Sequence, residues 1–154
     1  MSKKAKNKYS TMIVVFVLLS MAVMIYLFIS NYPNTQAKKL LNKYGWDVVS
    51  GGKSNEESVV LSDEYLEREI SVMQISASAK IGLNPIKQED ETMVKYYYTL
   101  KQIGKNDPLR AEIWLCKNKI IGAYILHAED NVSVRFWSLD TPYQTILSEI
   151  EALE

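Results

Sequence analysis

The chain holds one histidine, one cysteine and 18 carboxylates, and their spacing bounds the chemistry open to it. A serine or cysteine nucleophile needs a base close enough to take its proton. His127, in "YILHAED", ends a strand pattern, and Cys116 lies on the strand before it. Pairing those strands about Lys117-Asn118-Lys119 sets Cys116 beside Ile120 and far from His127, so the two form no dyad. Zinc takes three or four Cys, His or carboxylate ligands, and one His with one Cys does not build the usual sets. Glu89, Asp90 and Glu91 cluster, as do Glu129 and Asp130, but neither stretch has the spacing of a calcium loop, and both read as solvated loops. "SGGKS" (Ser50–Ser54) lacks the spacing and the following helix of a phosphate loop and reads as a turn. No catalytic residue, cofactor or metal ligand is assigned.

The residues with most to offer a ligand are aromatic. If Val94, Tyr96, Ile113 and Val134 face the core, strand alternation sends Tyr97, Trp114 and Trp137 to the opposite face, with Lys95, Arg110 and Arg135 beside them. Rings next to cations stack on sugars, on peptide or on a partner protein. The competing arrangement lays a helix over this face and turns it into a second core layer.

These residues sit in a region where the sequence period changes from helical to two. "TMVKYYYTLKQI" alternates Val94, Tyr96, Tyr98 and Leu100 against Lys95, Tyr97, Thr99 and Lys101. "LRAEIWLC", "IIGAYILHA" and "VSVRFWSL" follow after short turns, which predicts an antiparallel meander. Upstream, "QAKKLLNKYGW" reads as a short helix with Ala37, Leu40, Leu41 and Tyr44 on one face and Gly45 as its left-handed cap. "WDVV" and "SVVL" read as two strands separated by the turn "SGGKSNEE". Ser62 is placed to cap a helix whose buried stripe is Leu66, Ile70, Met73, Ala77 and Ile81, ending at Gly82. A last helix starts with Thr141 as cap, Pro142 at its first position and Gln144 as capping-box partner, and Ile146, Leu147, Ile150 and Leu153 give it an apolar face. The fold class is α+β, a four- to six-stranded antiparallel sheet packed by two or three helices.

The N-terminal quarter differs in kind. From Met12 to Ser30 run nineteen residues without a charge, a proline or a glycine, and twelve of them are Ile, Leu, Val or Phe. As a helix this run would span roughly 28 Å, close to the hydrocarbon thickness of a bilayer. It is longer than the apolar region of a signal peptide, and "LFISNYPNTQA" offers no small-x-small cleavage pattern, so a retained transmembrane helix is expected. Lys3, Lys4, Lys6 and Lys8 precede it, and the next basic residue is Lys38, which orients the N-terminus toward the cytoplasm. The expected organisation is a basic tail (1–11), a transmembrane helix (12–30), a hinge (31–36) in which Pro33 stops the helix, and an extracytoplasmic domain (37–154).

With the four tail lysines set aside, residues 31–154 carry 14 basic and 18 acidic groups, a net of −4. An acidic domain repels phosphate backbones, so nucleic acid is not expected as a partner. A single cysteine leaves no internal disulfide, and the domain must stand on its apolar core.

"LLNKYGWDV", "KIGLNPIK" before "VKYYYTL", and "RAEIWLCKNKIIGAYI" resemble a family of uncharacterised, mostly membrane-anchored bacterial domains catalogued as domain of unknown function 4830. The resemblance covers roughly residues 37–127 and is most specific at Tyr44-Gly45-Trp46 and Ile121-Gly122. The family's hairpin turn is often Asp-Gly, where this chain has Lys117-Asn118-Lys119. The resemblance implies an exported, anchored α+β domain and no catalytic residues. The expectation is a single-pass protein of the cell membrane, held by the lipid bilayer, whose outer domain is a non-enzymatic module for an envelope protein or cell-wall partner. The alternative is a small envelope hydrolase using paired carboxylates, which would require two acidic side chains to converge in a cleft.

Overall fold

The computed structural model describes the backbone of residues 3–103, 107–129 and 133–152, and the side chains of 12–28, 32–52, 57–103, 107–127 and 134–152. It divides into two units, Met1–Tyr32 and Pro33–Glu154. The first unit is helical from Lys3, and its large side chains between Met12 and Phe28 are 47–74% exposed. Within it Ser20 donates its hydroxyl to the Val17 carbonyl at 2.8 Å, which satisfies that group within the helix. Among the described residues no single helix is long and apolar enough to cross a membrane; the segments Met12–Phe28 and Tyr32–Lys43 meet the requirement only as a pair. The 31–36 segment read as a hinge is helical backbone, since α1 runs over Lys3–Lys43 with Pro33 inside it.

The second unit is α+β. After α1 come β1 (Val48–Val60), α2 (Asp63–Leu66), α3 (Glu69–Lys80), a 3-10 turn (Pro85–Gln88), β2 (Thr92–Ile103), β3 (Pro108–Cys116), β4 (Lys119–Glu129), β5 (Ser133–Trp137) and α4 (Tyr143–Glu151). The five strands form one antiparallel sheet in sequence order, β1-β2-β3-β4-β5. The "WDVV" and "SVVL" segments are one strand rather than two, since both pair with β2 in the same direction. What the sequence presented as a turn is an irregularity between Gly52 and Glu56, where β1 carries extra residues. Gly51 (φ 108°) makes the close approach feasible, because a Cβ there would lie 2.0 Å from the Tyr97 carbonyl oxygen.

Both faces of the sheet are covered. On one face Tyr98, Leu100, Leu109, Ala111, Ile113 and Ile125 pack with Ala37 and Leu41 of α1, Trp46, and Ile146 and Ile150 of α4. On the other face Met93, Trp114, Cys116 and Tyr124 pack with Leu61, Tyr65, Leu66 and Ala77 beneath α2 and α3. The alternation expected for β2 and β3 holds, with Tyr96, Tyr98, Ala111 and Ile113 inward to the first core.

Ser62 caps as expected, accepting the Tyr65 amide at 3.3 Å, but the helix it starts ends after one turn. The chain restarts at Glu69, and the face that α3 buries is Ser71, Gln74, Ala77 and Ser78. The expected stripe is therefore corrected: Ile70 and Met73 stand 54% and 42% exposed. Small side chains let α3 approach β4, where Ser78 Oγ accepts the Ala123 amide at 3.0 Å while donating to the Gln74 carbonyl at 2.9 Å, with the Ala123 carbonyl farther off at 3.4 Å. That hydroxyl serves the backbone of β4 just beyond the paired length of β5. In α4 the cap is Pro142 rather than Thr141, one residue later than read, and no side chain closes the first turn.

Candidate functional site

The six residues proposed as one ligand face are divided by the fold. Tyr97, Trp114, Lys95 and Arg110 share the α2–α3 face, since Lys95 pairs opposite Trp114, Tyr97 opposite Glu112 and Thr99 opposite Arg110. Trp137 and Arg135 belong to the opposite face, because Trp137 pairs with Ile125 and Arg135 with His127. The parity error sits at Val134, which is 40% exposed and on the Trp114 side of the sheet. Trp114 itself is fully buried, so the covering helix of the competing arrangement is present.

Beneath that cover lies a buried charge network. Lys95 Nζ is 3.6 Å from Glu112 Oε1 and 3.9 Å from Glu57 Oε2. It also sits 5.4 Å from the Tyr65 ring centroid and 5.8 Å from that of Trp114, within cation–π range. Trp114 Nε1–H donates to Glu112 Oε1 at 2.6 Å, and the Tyr97 hydroxyl donates to Glu57 Oε2 at 2.5 Å. Burial pulls the Lys95 ammonium down, but Glu112, Tyr65 and Glu57 outweigh it and hold the group above its ordinary value. Burial raises the Tyr97 hydroxyl, with help from its bond to Glu57, and raises Tyr124 for the same first reason. Two carboxylates do converge here, but both are committed to Lys95 and to ring donors. The arrangement stabilises a buried ion pair rather than holding a carboxylate ready for proton transfer.

Cys116 and His127 are both buried, on opposite faces of the sheet. Cys116 pairs with Lys119, and Leu115 with Ile120, leaving Ile121 as a bulge before Trp114 meets Gly122. Gly122 packs closely under that ring: an added Cβ would lie 3.0 Å from Trp114 Cε3 and would press on it. At the first acidic cluster, a hydrogen bond to Asp63 raises the Glu89 carboxyl, and Glu91 takes the Lys117 ammonium at 2.6 Å. Among the described residues no three metal-ligating side chains gather. The side chains of Glu129 and Asp130 lie outside the described residues.

The open site is elsewhere. A groove of about 590 Å³ runs between α3 and β5. Val72, Met73, Ser76, Ala77 and Lys80 form its helical wall. Residues Val134 to Ser138 form the other, with Thr141 and Glu149 at one end. Val72, Met73 and Val134 are 52%, 42% and 40% exposed, an apolar lining turned to solvent. Ser138 is fully buried, and its hydroxyl has no hydrogen-bond partner among the described residues. Trp137 Nε1–H donates to Glu149 Oε2 at 2.7 Å, tying the strand to α4. Trp137 and Arg135, read from the sequence as sharing one ligand face with Trp114, line this groove from the opposite face of the sheet. Sequence reasoning missed the helical wall, where Met73, read as part of a buried stripe, is displaced from the core by small residues.

Neither a family model nor a curated protein nor a solved structure matches the chain. The resemblance to domain of unknown function 4830 accordingly stands on the quoted residues alone.

Proposed function

We propose that this protein is a single-pass, membrane-anchored binding module whose folded unit lies outside the cytoplasm and acts without catalysis of its own. The observation that carries the binding half is the α3–β5 groove, where solvent-facing Val72, Met73 and Val134 meet a buried serine hydroxyl that has no partner among the described residues. Exposed apolar side chains gathered along a concavity mark recognition sites. The anchoring half rests on the uncharged run Met12–Ser30 and the four lysines before it. The resemblance to anchored bacterial domains supports the same reading.

For the carboxylate-hydrolase alternative, two carboxylate pairs approach each other among the described residues: Glu57 and Glu112 are engaged with Lys95, and Asp63 and Glu89 meet on the exposed surface rather than in a cleft. An envelope protein suits the groove better than a sugar. The rings that stack on glycans are covered here: Trp114 is fully buried and Trp137 is 6% exposed. Two measurements test the reading. Full-length protein should stay with membranes after alkaline carbonate extraction, and its C-terminus should be digested by protease added to wall-less cells. A photo-crosslinking amino acid at position 73 should capture an envelope protein that the same probe at Lys119 does not. Release by carbonate, or identical products at both positions, overturns it.

A further inference from the structure

We infer that the α3–β5 groove takes an extended, acidic–apolar segment of a partner protein, added to β5 as a sixth strand of the sheet. This deepens, and rests on, the binding-module reading. The first argument is parity. Val134 and Phe136 project toward α3, whereas Arg135 and Trp137 project to the other face, yet all four line the groove. A cavity lined by both parities follows the edge of a strand rather than one face of the sheet.

The second argument is the edge itself. β5 is a terminal strand, pairing with β4 along Ser133–Trp137 without a register shift. Its far side presents backbone donors and acceptors to a further strand. The other terminal strand, β1, is irregular at both Val48/Ser50 and Gly52/Glu56, which spoils it as a template. Where β5 stops, Ser78 Oγ already accepts the Ala123 amide, as a carbonyl of a neighbouring strand would. Ser138, just after β5, holds a hydroxyl with no partner among the described residues.

The third argument is charge. Lys80 and Arg135 line the groove and form no ion pair among the described residues, while its one carboxylate, Glu149, already accepts the Trp137 indole. A strand with acidic residues among apolar ones complements this; a basic one does not. Nor does a second copy of β5, since antiparallel pairing centred on the strand sets Arg135 against its equivalent. At about 3.3 Å per residue, β5 is roughly 17 Å long and accommodates about five to seven residues of ligand.

The test uses full-length protein in lipid nanodiscs. The probes are two fluorescent peptides of about seven residues, one alternating valine with glutamate and the other valine with lysine. The glutamate peptide should bind about tenfold tighter by anisotropy, and Lys80→Glu with Arg135→Glu should abolish or reverse that preference. Met73→Glu, on the helical wall, should weaken the same peptide if the double variant folds poorly. Bound peptide should slow hydrogen exchange at amides within 134–138 and leave those of β1 unchanged. Binding without β5 protection, or with the lysine peptide preferred, overturns strand addition while the crosslinking result at position 73 still decides the binding-module reading. Protection that rises with protein concentration and without peptide makes the occupant a second copy and also overturns it. Failure of both peptides to bind rejects the inference.

Discussion

The indole N–H of Trp114 donates to the carboxylate of Glu112 at 2.6 Å, two residues back on the same strand and the same face. Residues i and i+2 of a strand stand side by side, so a ring and a carboxylate at that spacing meet without a turn or a loop. Lys95 on the neighbouring strand completes the group, and α2 closes over it through Tyr65, whose ring lies 6.2 Å from that of Trp114. This is a layer of core built from polar atoms, and it makes Trp114 a packing residue.

Trp114→Ala should therefore cost about 3–5 kcal/mol of stability, the range for emptying a large buried aromatic site. Trp114→Phe should cost less but still leave Glu112 without its indole donor. Urea unfolding monitored by far-UV dichroism measures both. A loss below about 1 kcal/mol for the alanine variant would contradict the burial described here.

Removing one member of the Lys95–Glu112 pair leaves the other charge buried and uncompensated. Lys95→Met and Glu112→Gln should each destabilise by about 3–5 kcal/mol, and the double variant should recover a large part of the sum. Glu57→Gln should cost less than about 1 kcal/mol, because its side chain is 56% exposed. The readout is a double-mutant cycle from denaturation midpoints, and simple additivity of the two buried changes refutes the pairing.

Stability should fall on the alkaline side. Tyr98 and Tyr124 are raised by burial, Tyr97 by burial and by its bond to Glu57, and Lys95 is raised on balance. Above about pH 10 the unfolded chain releases these protons while the folded chain keeps them, so the folded state binds more protons and loses stability as pH rises. Each fully buried tyrosine contributes about 1.4 kcal/mol per pH unit over that window. Unfolding curves from pH 8 to 12 should bend downward near pH 10, and Tyr98→Phe should flatten the bend. A flat profile would disprove it.

The β3–β4 turn holds Lys117 at φ 49° and Asn118 at φ 63°, the left-handed pair that lets a two-residue loop match strand twist. Asn118→Gly should stabilise by about 0.5 kcal/mol through relief at that angle, with the register Cys116↔Lys119 kept. A measurable decrease in melting temperature would indicate that the asparagine side chain holds the turn.

Much of the sheet was legible because strand period is local. The alternation at Val94–Leu100 and Ala111–Leu115 assigned each residue to the correct face. The glycines at 45 and 82 also ended their helices as read, both at positive φ. The reading failed where partners were non-local. In "VRFW" three of the four residues are apolar, so period alone cannot choose between Val134 with Phe136 and Trp137 with Val134's opposite parity; pairing of Trp137 with Ile125 chose. α3 failed for a related reason. Its longest apolar residues predicted the buried stripe, but contact with β4 favoured Ser71, Ala77 and Ser78, which permit closer approach.

By itself, the sequence determined the α+β class, the antiparallel run from β2 to β5 and an uncharged N-terminal run, because these depend on neighbours within a few positions or on composition. Only the tertiary structure decided which side of the sheet α2 and α3 cover, which turned Trp114 and Lys95 from a surface into a core, and it alone opened the groove beside β5. Coverage and register are settled by the competition of distant surfaces for burial, and no local pattern records the outcome of that competition.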